Sequence, residues 1–355
     1  MDWEQLEINP RIITAVKRAS IKSAREILSL SGPDLQRFTR LSRSDVFHLQ
    51  AAVAAAHRSH PPVTALQLFR GEFPRLESGR RLSLACPVLD VILRGGLPLS
   101  GITELAGQGG VGKSQVALQL CLSVQYPEQY GGLNSGAVYI CTEDPFPIRR
   151  LQQLIGQQGC LRPEVPQDFF HSLRFSDNIY VEHAADLGAL MACVTQRVPI
   201  LLARGLVRLL VVDSVAALFR SEFLADEAVE RSRHLLAFSA TLQHLSEQYN
   251  TPVFCINQVT DALEGSAVAQ GSLGLENPKV LPALGLAWAN QVMVRLMMVH
   301  LQGTVAMGDQ TSTPRRLEVV FAPHLARASC ADIRSSQPQG TRTNQPFLWK
   351  PVTHA

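Results

Sequence analysis

A glycine-rich stretch that ends in lysine and serine is the first group of residues whose types and spacing could do chemistry. It fits the pattern G-x-x-x-x-G-K-[ST], in which backbone N–H groups surround phosphate oxygens and the lysine reaches the β- and γ-phosphates. The final hydroxyl would contact Mg²⁺. The eight positions are Gly107, Gln108, Gly109, Gly110, Val111, Gly112, Lys113 and Ser114. The sequence therefore predicts a site that holds a nucleoside triphosphate and its magnesium ion.

Carboxylates and amides follow three apolar runs further along the chain. Asp213 ends the run 209–212 and is expected to orient Mg²⁺, a role it would share with Ser114. Glu143 ends the run 137–142 and could polarise an attacking water as a general base, although a surface acid at a strand end has the same pattern. Gln258 follows the run 253–256 after Asn257, and its amide could bind the γ-phosphate and sense its loss. We therefore predict catalytic roles for Glu143 and Gln258.

Strands and helices must bring these residues together. Residues 102–106 form a short apolar run before the glycine-rich stretch, and apolar residues over 115–125 recur with helical spacing after it. Further strand-like runs are 137–142, 179–182, 206–212, 253–256, 292–296 and 317–320, and the clearest helical stretches are 186–197 and 229–248. This alternation predicts an α/β fold with a mostly parallel sheet covered on both faces. Such sheets bind ligands at the carboxyl ends of their strands, where the candidate residues fall.

Short helices are predicted over residues 1–56. The residues that mark their starts are Pro10, Ser23, Pro33 and either Ser42 or Ser44. The spacing is similar to a helix-hairpin-helix module, which binds DNA phosphates, but the hairpin at 39–42 contains no glycine. Arg37, Arg40 and Arg43 give this unit a basic face. Weak DNA binding and docking on a protein partner therefore both stay open.

Composition divides the remainder of the chain. Residues 57–80 are polar and contain Pro, Gly and Ser, which predicts a linker with a short ordered insert at 64–68. Residues 81–334 are predicted to form the catalytic core. Residues 335–355 are too polar to bury a core and are expected to be disordered. The tail contains an apolar island at 347–349, which is either an incidental part of the tail or a short partner-binding motif.

Charge and cysteine content limit the class of protein. The formal net charge of +3 gives no strong field for nucleic acid, and 46% hydrophobic with 18% charged residues indicates a globular chain. Seven cysteines without a C-x-x-C pair favour free thiols in a reducing compartment. No secretory signal and no apolar run of about 20 residues is evident, so we expect an intracellular protein without a membrane partner.

Taken together, these segments resemble the RecA-type recombinases, and more narrowly their eukaryotic paralogues. The resemblance covers about residues 5–335. The segments that carry it are 89–90 with 95–96, 101–104, 107–115, 136–144, 210–214, 256–259 and 282–291. It implies a RecA-like phosphate-loop ATPase core behind a small helical domain.

The resemblance also implies a function. Family members act in homologous recombination and double-strand-break repair, and they hold ATP and Mg²⁺ at the interface between neighbouring subunits. By this likeness Lys113 and Ser114 bind phosphate and metal, Asp213 supports Mg²⁺, and Glu143 is the hydrolytic base. Gln258 would relay nucleotide state to the DNA-facing loop that follows it. A nuclear location is expected, with cytoplasm and mitochondrion as further possibilities.

Two departures from the family pattern bear on the kind of activity. The expected DNA-facing segments, near 219–231 and 260–284, contain few basic residues beside several acids. The linker motif aromatic-x-x-Ala, which joins family subunits into filaments, aligns with 62–65 here and has Pro62 in place of the aromatic. We therefore expect an ATP-binding assembly subunit with weak DNA-stimulated ATPase activity. Its partner would be another RecA-type paralogue, the C paralogue in the first instance, and its DNA binding would be weak when it is alone.

Two other functions stay open at this point. A self-sufficient strand-exchange recombinase would share the nucleotide site but needs basic loops and a self-assembly motif. An unrelated phosphate-loop enzyme, such as a small-molecule kinase, needs a substrate lid that the sequence does not show.

Overall fold

The computed structural model describes residues 8–19, 21, 24–57, 64–70, 80–261, 280–301, 305–307, 310–326, 331–333 and 349–351. The chain forms two compact units, Met1–Gly79 and Arg80–Ala355. This single division does not separate a linker from the helical domain. The limits 1–56, 57–80, 81–334 and 335–355 therefore stay predictions.

Within its described residues, the first unit contains the four predicted helices and one more. They are α1 (Pro10–Arg18), α2 (Ala24–Ser29), α3 (Gly32–Thr39), α4 (Arg43–His57) and α5 (Ala65–Phe69). The first four close around fully buried aliphatic side chains, among them Val16, Leu35 and Val53. The hydroxyl of Ser42 accepts the Asp45 N–H at 3.1 Å, so Ser42 rather than Ser44 caps α4.

Among the described residues, nine strands form a sheet at the centre of the second unit. Its strands are β3 (Ile102–Gly107), β4 (Gly136–Cys141), β5 (Ile179–His183), β6 (Val207–Asp213), β7 (Val253–Asn257), β10 (Val294–His300), β13 (Arg315–Phe321), β14 (Ala331–Ile333) and β15 (Trp349–Pro351). They lie across the sheet in the order β15-β14-β13-β10-β3-β7-β6-β4-β5. The six strands from β10 to β5 pair in parallel, and β13, β14 and β15 are antiparallel additions. The predicted α/β fold with a mostly parallel sheet is confirmed.

Helices cover both faces of this sheet. They are α6 (Pro87–Ile92), α7 (Lys113–Ser123), α8 (Ile148–Gly156), α9 (Gln158–Leu161), α10 (Gln167–Ser172), α11 (Leu187–Ala192), α12 (Val198–Ala203), α13 (Val215–Ser221), α14 (Ala228–Tyr249) and α15 (Gly285–Ala289). Alternate strand residues enter the two apolar cores: Tyr139 packs in one, while Val138 and Ile140 pack in the other. One helical run, 187–203, continues through a π turn at 193–197 and is longer than predicted.

The described part of the second unit also contains three two-stranded ribbons. They are β1 (Arg81–Leu82) with β2 (Leu97–Pro98), β8 (Val259–Asp261) with β9 (Val280–Pro282), and β11 (Val305–Met307) with β12 (Gln310–Ser312). The ribbon of β8 and β9 brackets 262–279, so most of the second predicted DNA-facing segment lies outside the described residues. Within the described part of the chain, no helix is both long enough and apolar enough to cross a bilayer.

The carboxyl-terminal tail departs from its prediction. Residues 335–355 were expected to be disordered, but Trp349–Pro351 forms the edge strand β15 and pairs antiparallel with β14. Composition alone missed this strand because three residues gain their backbone hydrogen bonds from a sheet edge that local sequence does not reveal. The prediction is wrong for these three residues, and 334–348 and 352–355 lie outside the described residues.

Candidate nucleotide site

Strand order places the predicted residues at one edge of the sheet. The strands β3, β7, β6 and β4 are neighbours and run in parallel, so their carboxyl ends lie side by side. The phosphate loop follows β3, Glu143 follows β4, Asp213 ends β6 and Gln258 follows β7. All of them line one cavity of about 620 Å³. The predicted convergence of these side chains is therefore what the structure shows.

The glycines of the loop leave room for phosphate. A side chain at Gly107 would place its Cβ 2.4 Å from the carbonyl oxygen of Met298, so the first position admits glycine only. Gly110 and Gly112 have φ values of +71° and +105°, a region that side chains disfavour. The positions of a Cβ on Gly109 and on Gly110 are open, with no atom within 4 Å. The backbone can therefore approach a phosphate closely, as the motif requires.

Lys113 begins α7 and folds over the loop. Its ammonium donates to the carbonyl oxygens of Gly107 and Gln108, each at 2.8 Å. Burial lowers the pKa of Lys113 from its ordinary value, and the nearby carboxylates of Asp213 and Glu143 partly oppose that shift. An ammonium has three donors, so one remains for a phosphate oxygen.

Asp213 is held by a tyrosine from the neighbouring strand. The Tyr139 hydroxyl donates to Asp213 Oδ2 at 2.5 Å. Burial, together with the charge of Asp213, raises the pKa of Tyr139 far above its ordinary value, so the phenol stays protonated as a donor. The carboxylate is thereby oriented while its other oxygen can serve a cation.

Glu143 and Gln258 form a direct pair. The Gln258 amide donates to Glu143 Oε1 at 2.6 Å, and the Ser214 hydroxyl donates to Glu143 Oε2 at 3.2 Å. The Gln258 carbonyl oxygen accepts from Arg220 Nη1 at 3.1 Å. Gln258 therefore bridges the acid beside the phosphate loop and an exposed arginine near the end of α13. This arginine lies at the start of the first predicted DNA-facing segment, whereas the prediction linked Gln258 only to the second.

Sequence reasoning missed three contributors to this geometry: Tyr139, Ser214 and Arg220. One signal in the sequence pointed to Tyr139: its side chain carries a hydroxyl inside an apolar run, two positions before the strand ends. Ser214 directly follows Asp213, and Arg220 lies on the next helix. Only the pairing of β4, β6 and β7 shows that their side chains converge on the predicted acids and amide.

The donor set fits ATP with magnesium. Open backbone amides and an ammonium suit phosphate oxygens, and Mg²⁺ prefers oxygen ligands while keeping several waters. Among the described residues no three His, Cys, Asp or Glu side chains cluster as a self-sufficient metal site. Ser114 and Asp213 would therefore hold the ion together with phosphate and water oxygens.

The helical unit has a basic cleft of its own. A cavity of about 670 Å³ between α1 and the hairpin is lined in part by Arg11, Arg18 and Arg40. Arg40 takes the left-handed conformation at φ +56°, so the hairpin turns without a glycine. Asp45 accepts hydrogen bonds from the Ser42 hydroxyl and from Arg11, each at 2.8 Å, and from the Ser42 N–H at 3.4 Å. The amide that a hairpin offers to phosphate is thus already paired with an internal carboxylate.

A parallel sheet whose strands carry a phosphate loop and an aspartate at their carboxyl ends is the arrangement of a phosphate-loop ATPase. The sequence model of the Rad51 family matches residues 80–323, and that of the XRCC3/RpoA-like helix-hairpin-helix domain matches residues 3–57. The chain belongs to the Rad51 family. Both the predicted family and the predicted helix-hairpin-helix likeness are confirmed.

Curated relatives show which members of the Rad51 family the chain is similar to. Over 331 residues the chain is 52% identical to the mouse protein "DNA repair protein XRCC3", covering 93% of this chain and 95% of the relative. It is 34% identical to the Arabidopsis thaliana "DNA repair protein XRCC3 homolog", covering 72% and 91%. Identity to the Schizosaccharomyces pombe "DNA repair protein rhp57" is 28%, covering 85% and 88%. The chain acts in homologous-recombination repair as a Rad51 paralogue.

Proposed function

We propose that this protein is an ATP- and Mg²⁺-dependent assembly subunit that assists the main recombinase in homologous recombination. The observation that supports it best is the convergence of Lys113, Ser114, Asp213 and Glu143 on one cavity. Calorimetric titration of the purified chain with ATP and MgCl₂ tests the proposal. We expect saturable binding at one site per chain, and no detectable binding would refute it.

Each side chain of the cavity has a task that its contacts permit. Loop amides and Lys113 hold the phosphates. Tyr139 donates to Asp213 Oδ2, and among the described residues the other oxygen of Asp213 is left for a cation. Bound magnesium would neutralise the negative charge of the β- and γ-phosphate oxygens. Glu143 has both oxygens oriented by Gln258 and Ser214, and each retains a lone pair to accept a proton from water. Glu143 is exposed here, so a neighbouring subunit over the cavity would exclude bulk water.

The sheet edge provides a place for such a neighbour. β5 is the last strand in the sheet order, so among the described residues one of its backbone edges is unpaired. Val181 on this strand is 45% exposed, and Glu182 pairs with Arg197 at 3.0 Å. An added strand could therefore dock here and bury apolar surface. The edge strand β5 could therefore accept a strand from the linker of a neighbouring subunit. The linker of this chain lacks the aromatic residue of the motif that supplies such a strand.

The linker is a poor donor for the same contact. Thr64 caps α5, because its hydroxyl accepts the Gln67 N–H at 3.2 Å while Gln67 Oε1 accepts the Thr64 N–H at 2.8 Å. Ala65 is therefore the first residue of a helix, whereas strand addition needs an extended backbone. Pro62, which lies outside the described residues, lacks both the aromatic ring and an N–H.

We expect the pure protein with ATP and single-stranded DNA to form no long filaments. Light scattering and electron microscopy measure filament formation directly. With the C paralogue, in contrast, we expect the chain to form a nucleotide-dependent pair. Pro62→Phe restores the missing ring, whose burial is worth about 1.5–3 kcal/mol, and should increase self-association. Long regular filaments of the unmodified chain would instead favour the self-sufficient recombinase.

Arg220 connects the cavity to the DNA-facing side. Two acids that follow it in the sequence accept hydrogen bonds elsewhere: Glu222 accepts the Leu187 N–H at 2.7 Å, and Glu227 accepts the Leu224 N–H at 2.7 Å. The exposed guanidinium is therefore available to a nucleic-acid phosphate despite the acidic composition of its segment.

Arg220→Gln is expected to weaken binding of an oligo-dT strand and to reduce the slope of log affinity against log salt by about 0.7, the loss of one phosphate contact. Fluorescence anisotropy over a salt series measures both. Arg233→Gln is the matched control, because that exposed arginine pairs with Glu230 at 3.0 Å on α14. An unchanged slope for Arg220→Gln would remove DNA contact from the role of this residue.

A role in DNA repair locates the work of the protein in the nucleus. Cytoplasmic and mitochondrial pools stay predictions that fractionation of cells can test. The match to the Rad51 family sets aside the small-molecule kinase that the phosphate loop alone had left open.

A further inference from the structure

A fully buried carboxylate lies behind the nucleotide site, on the strand that leads into the phosphate loop. Glu104 of β3 is 0% exposed, and its neighbours Asn257 and Trp288 are 0% exposed as well. Arg295, its partner in the register of β10, is 1% exposed. We name these four residues the Glu104 cluster.

Three donors converge on this one carboxylate. Glu104 Oε1 accepts from Asn257 Nδ2 at 2.6 Å and from Trp288 Nε1 at 2.8 Å. Glu104 Oε2 accepts from Arg295 Nε, and the Arg295 guanidinium lies 5.4 Å from the ring centre of Phe321. The charge is therefore compensated, and the cluster spans three adjacent strands and α15.

Two members of the Glu104 cluster lie close in sequence to residues that line the nucleotide cavity. Glu104 is three residues before Gly107, and Asn257 directly precedes Gln258. Trp288 lies on α15, which follows β9, while Asn257 precedes β8. The Glu104 carboxylate therefore connects β3, which leads into the phosphate loop, to Asn257 before the ribbon of β8 and β9 and to Trp288 after it.

Stability is a poor explanation for such a group. Replacing a buried ion pair by apolar residues of similar volume is often neutral or stabilising, because desolvation offsets the attraction between the charges. Two atoms of the cluster also lack a hydrogen-bond partner among the described residues: Asn257 Oδ1 and Arg295 Nη2. Buried polar atoms without a partner are costly, so each one needs an explanation, and a functional role is one such explanation.

We propose that Glu104 is a positioning residue that holds Asn257, and through it Gln258 and Glu143, in register with the phosphate loop. Trp288 donates to the same Glu104 oxygen as Asn257, so its indole responds to changes at Gln258. This inference rests on the proposed nucleotide function and extends it to a group that contacts neither the phosphates nor the metal.

Trp288 gives the inference a spectroscopic test. The chain has three tryptophans, so Trp3→Phe with Trp349→Phe leaves Trp288 as the sole indole. We expect a saturable change in its emission on titration with ATP and MgCl₂, with the midpoint that calorimetry gives for the same protein. Asn257→Ala cuts the connection between β7 and Glu104 and should abolish the change when the nucleotide is saturating. Glu104→Gln should do the same, because an amide cannot accept from all three donors.

Turnover provides the second readout. Trp288→Phe removes one N–H donor and keeps an aromatic ring against Phe238, whose ring centre lies 6.4 Å away. We expect turnover at saturating ATP to fall about tenfold while the dissociation constant for ATP changes less than about threefold. A purely structural role would change stability without this split between turnover and binding.

The controls separate this inference from the proposed function. A chain with Trp349 as its sole tryptophan should show no response to ATP. Leu286→Ala, on the exposed side of α15, should leave the response of Trp288 intact. ATP binding by calorimetry without a change in Trp288 emission overturns the inference alone, as does a change that persists in Asn257→Ala. Absence of ATP binding overturns the proposed function and the inference with it.

Discussion

Replacing Glu143 by glutamine is expected to slow ATP hydrolysis by about 10²–10⁴-fold, the usual contribution of a general base, while ATP remains bound. The carboxylate lies in the cavity with Lys113 and Asp213, and its two oxygens are oriented by Gln258 and Ser214. Glutamine has nearly the same shape. Its oxygen can still accept from Gln258 and its NH₂ can donate to the Ser214 hydroxyl, so the change removes basicity and keeps the contacts.

The measurement is the rate of ATP hydrolysis per chain at saturating ATP, with DNA present and with DNA absent. Asp144→Asn is the matched control, because Asp144 is the adjacent exposed acid of the same cavity and contacts neither Gln258 nor Ser214 in the hydrogen bonds described above. If Asp144→Asn lost the activity and Glu143→Gln kept it, the assignment of the base would be wrong. If the unmodified chain had no measurable turnover, a nucleotide clamp would replace the weak ATPase as the proposed activity.

The phosphate loop could be predicted from the sequence because its chemistry depends on neighbours in the chain. Gly110 and Gly112 have left-handed backbone conformations beside the start of α7, and local sequence determines both features. Gly107 could be predicted only as part of the motif, because the atom that excludes a side chain there, the Met298 carbonyl oxygen, lies on β10. Asp213 and Glu143 could be predicted in a different way. Each ends an apolar run, and parallel topology brings the ends of such runs to one edge.

The contacts among these side chains could not be predicted, because they depend on strand order and on side-chain conformations far apart in sequence. Gln258 contacts Glu143, 115 residues away, and Arg220, 38 residues away. Trp288 contacts Glu104 across 184 residues, and the periodicity of its segment gave no sign of a polar partner. Composition also misjudged the tail, since β15 exists through pairing with β14.

Lys113→Ala is expected to weaken ATP binding about 10- to 150-fold without unfolding the core, which corresponds to a charge-assisted hydrogen bond of about 1.5–3 kcal/mol. The ammonium already donates to the carbonyl oxygens of Gly107 and Gln108, so it is held above the loop before a phosphate arrives. The substitution removes these two contacts as well as the contact to phosphate. Thermal unfolding followed by circular dichroism is therefore measured beside the calorimetry, and Lys113→Arg tests whether charge alone suffices.

The pH dependence of the unmodified chain provides an internal check of the same residue. Binding requires the protonated amine, and burial lowers the pKa of Lys113 below its ordinary value of 10.5. Affinity for ATP should therefore decline as the pH rises toward that lowered pKa, at a lower pH than a solvent-exposed lysine would give. Lys113→Ala should lack this decline, because it has no ammonium to lose. Unchanged affinity of Lys113→Ala at neutral pH would contradict the central assignment of the nucleotide site, whatever the alkaline profile shows.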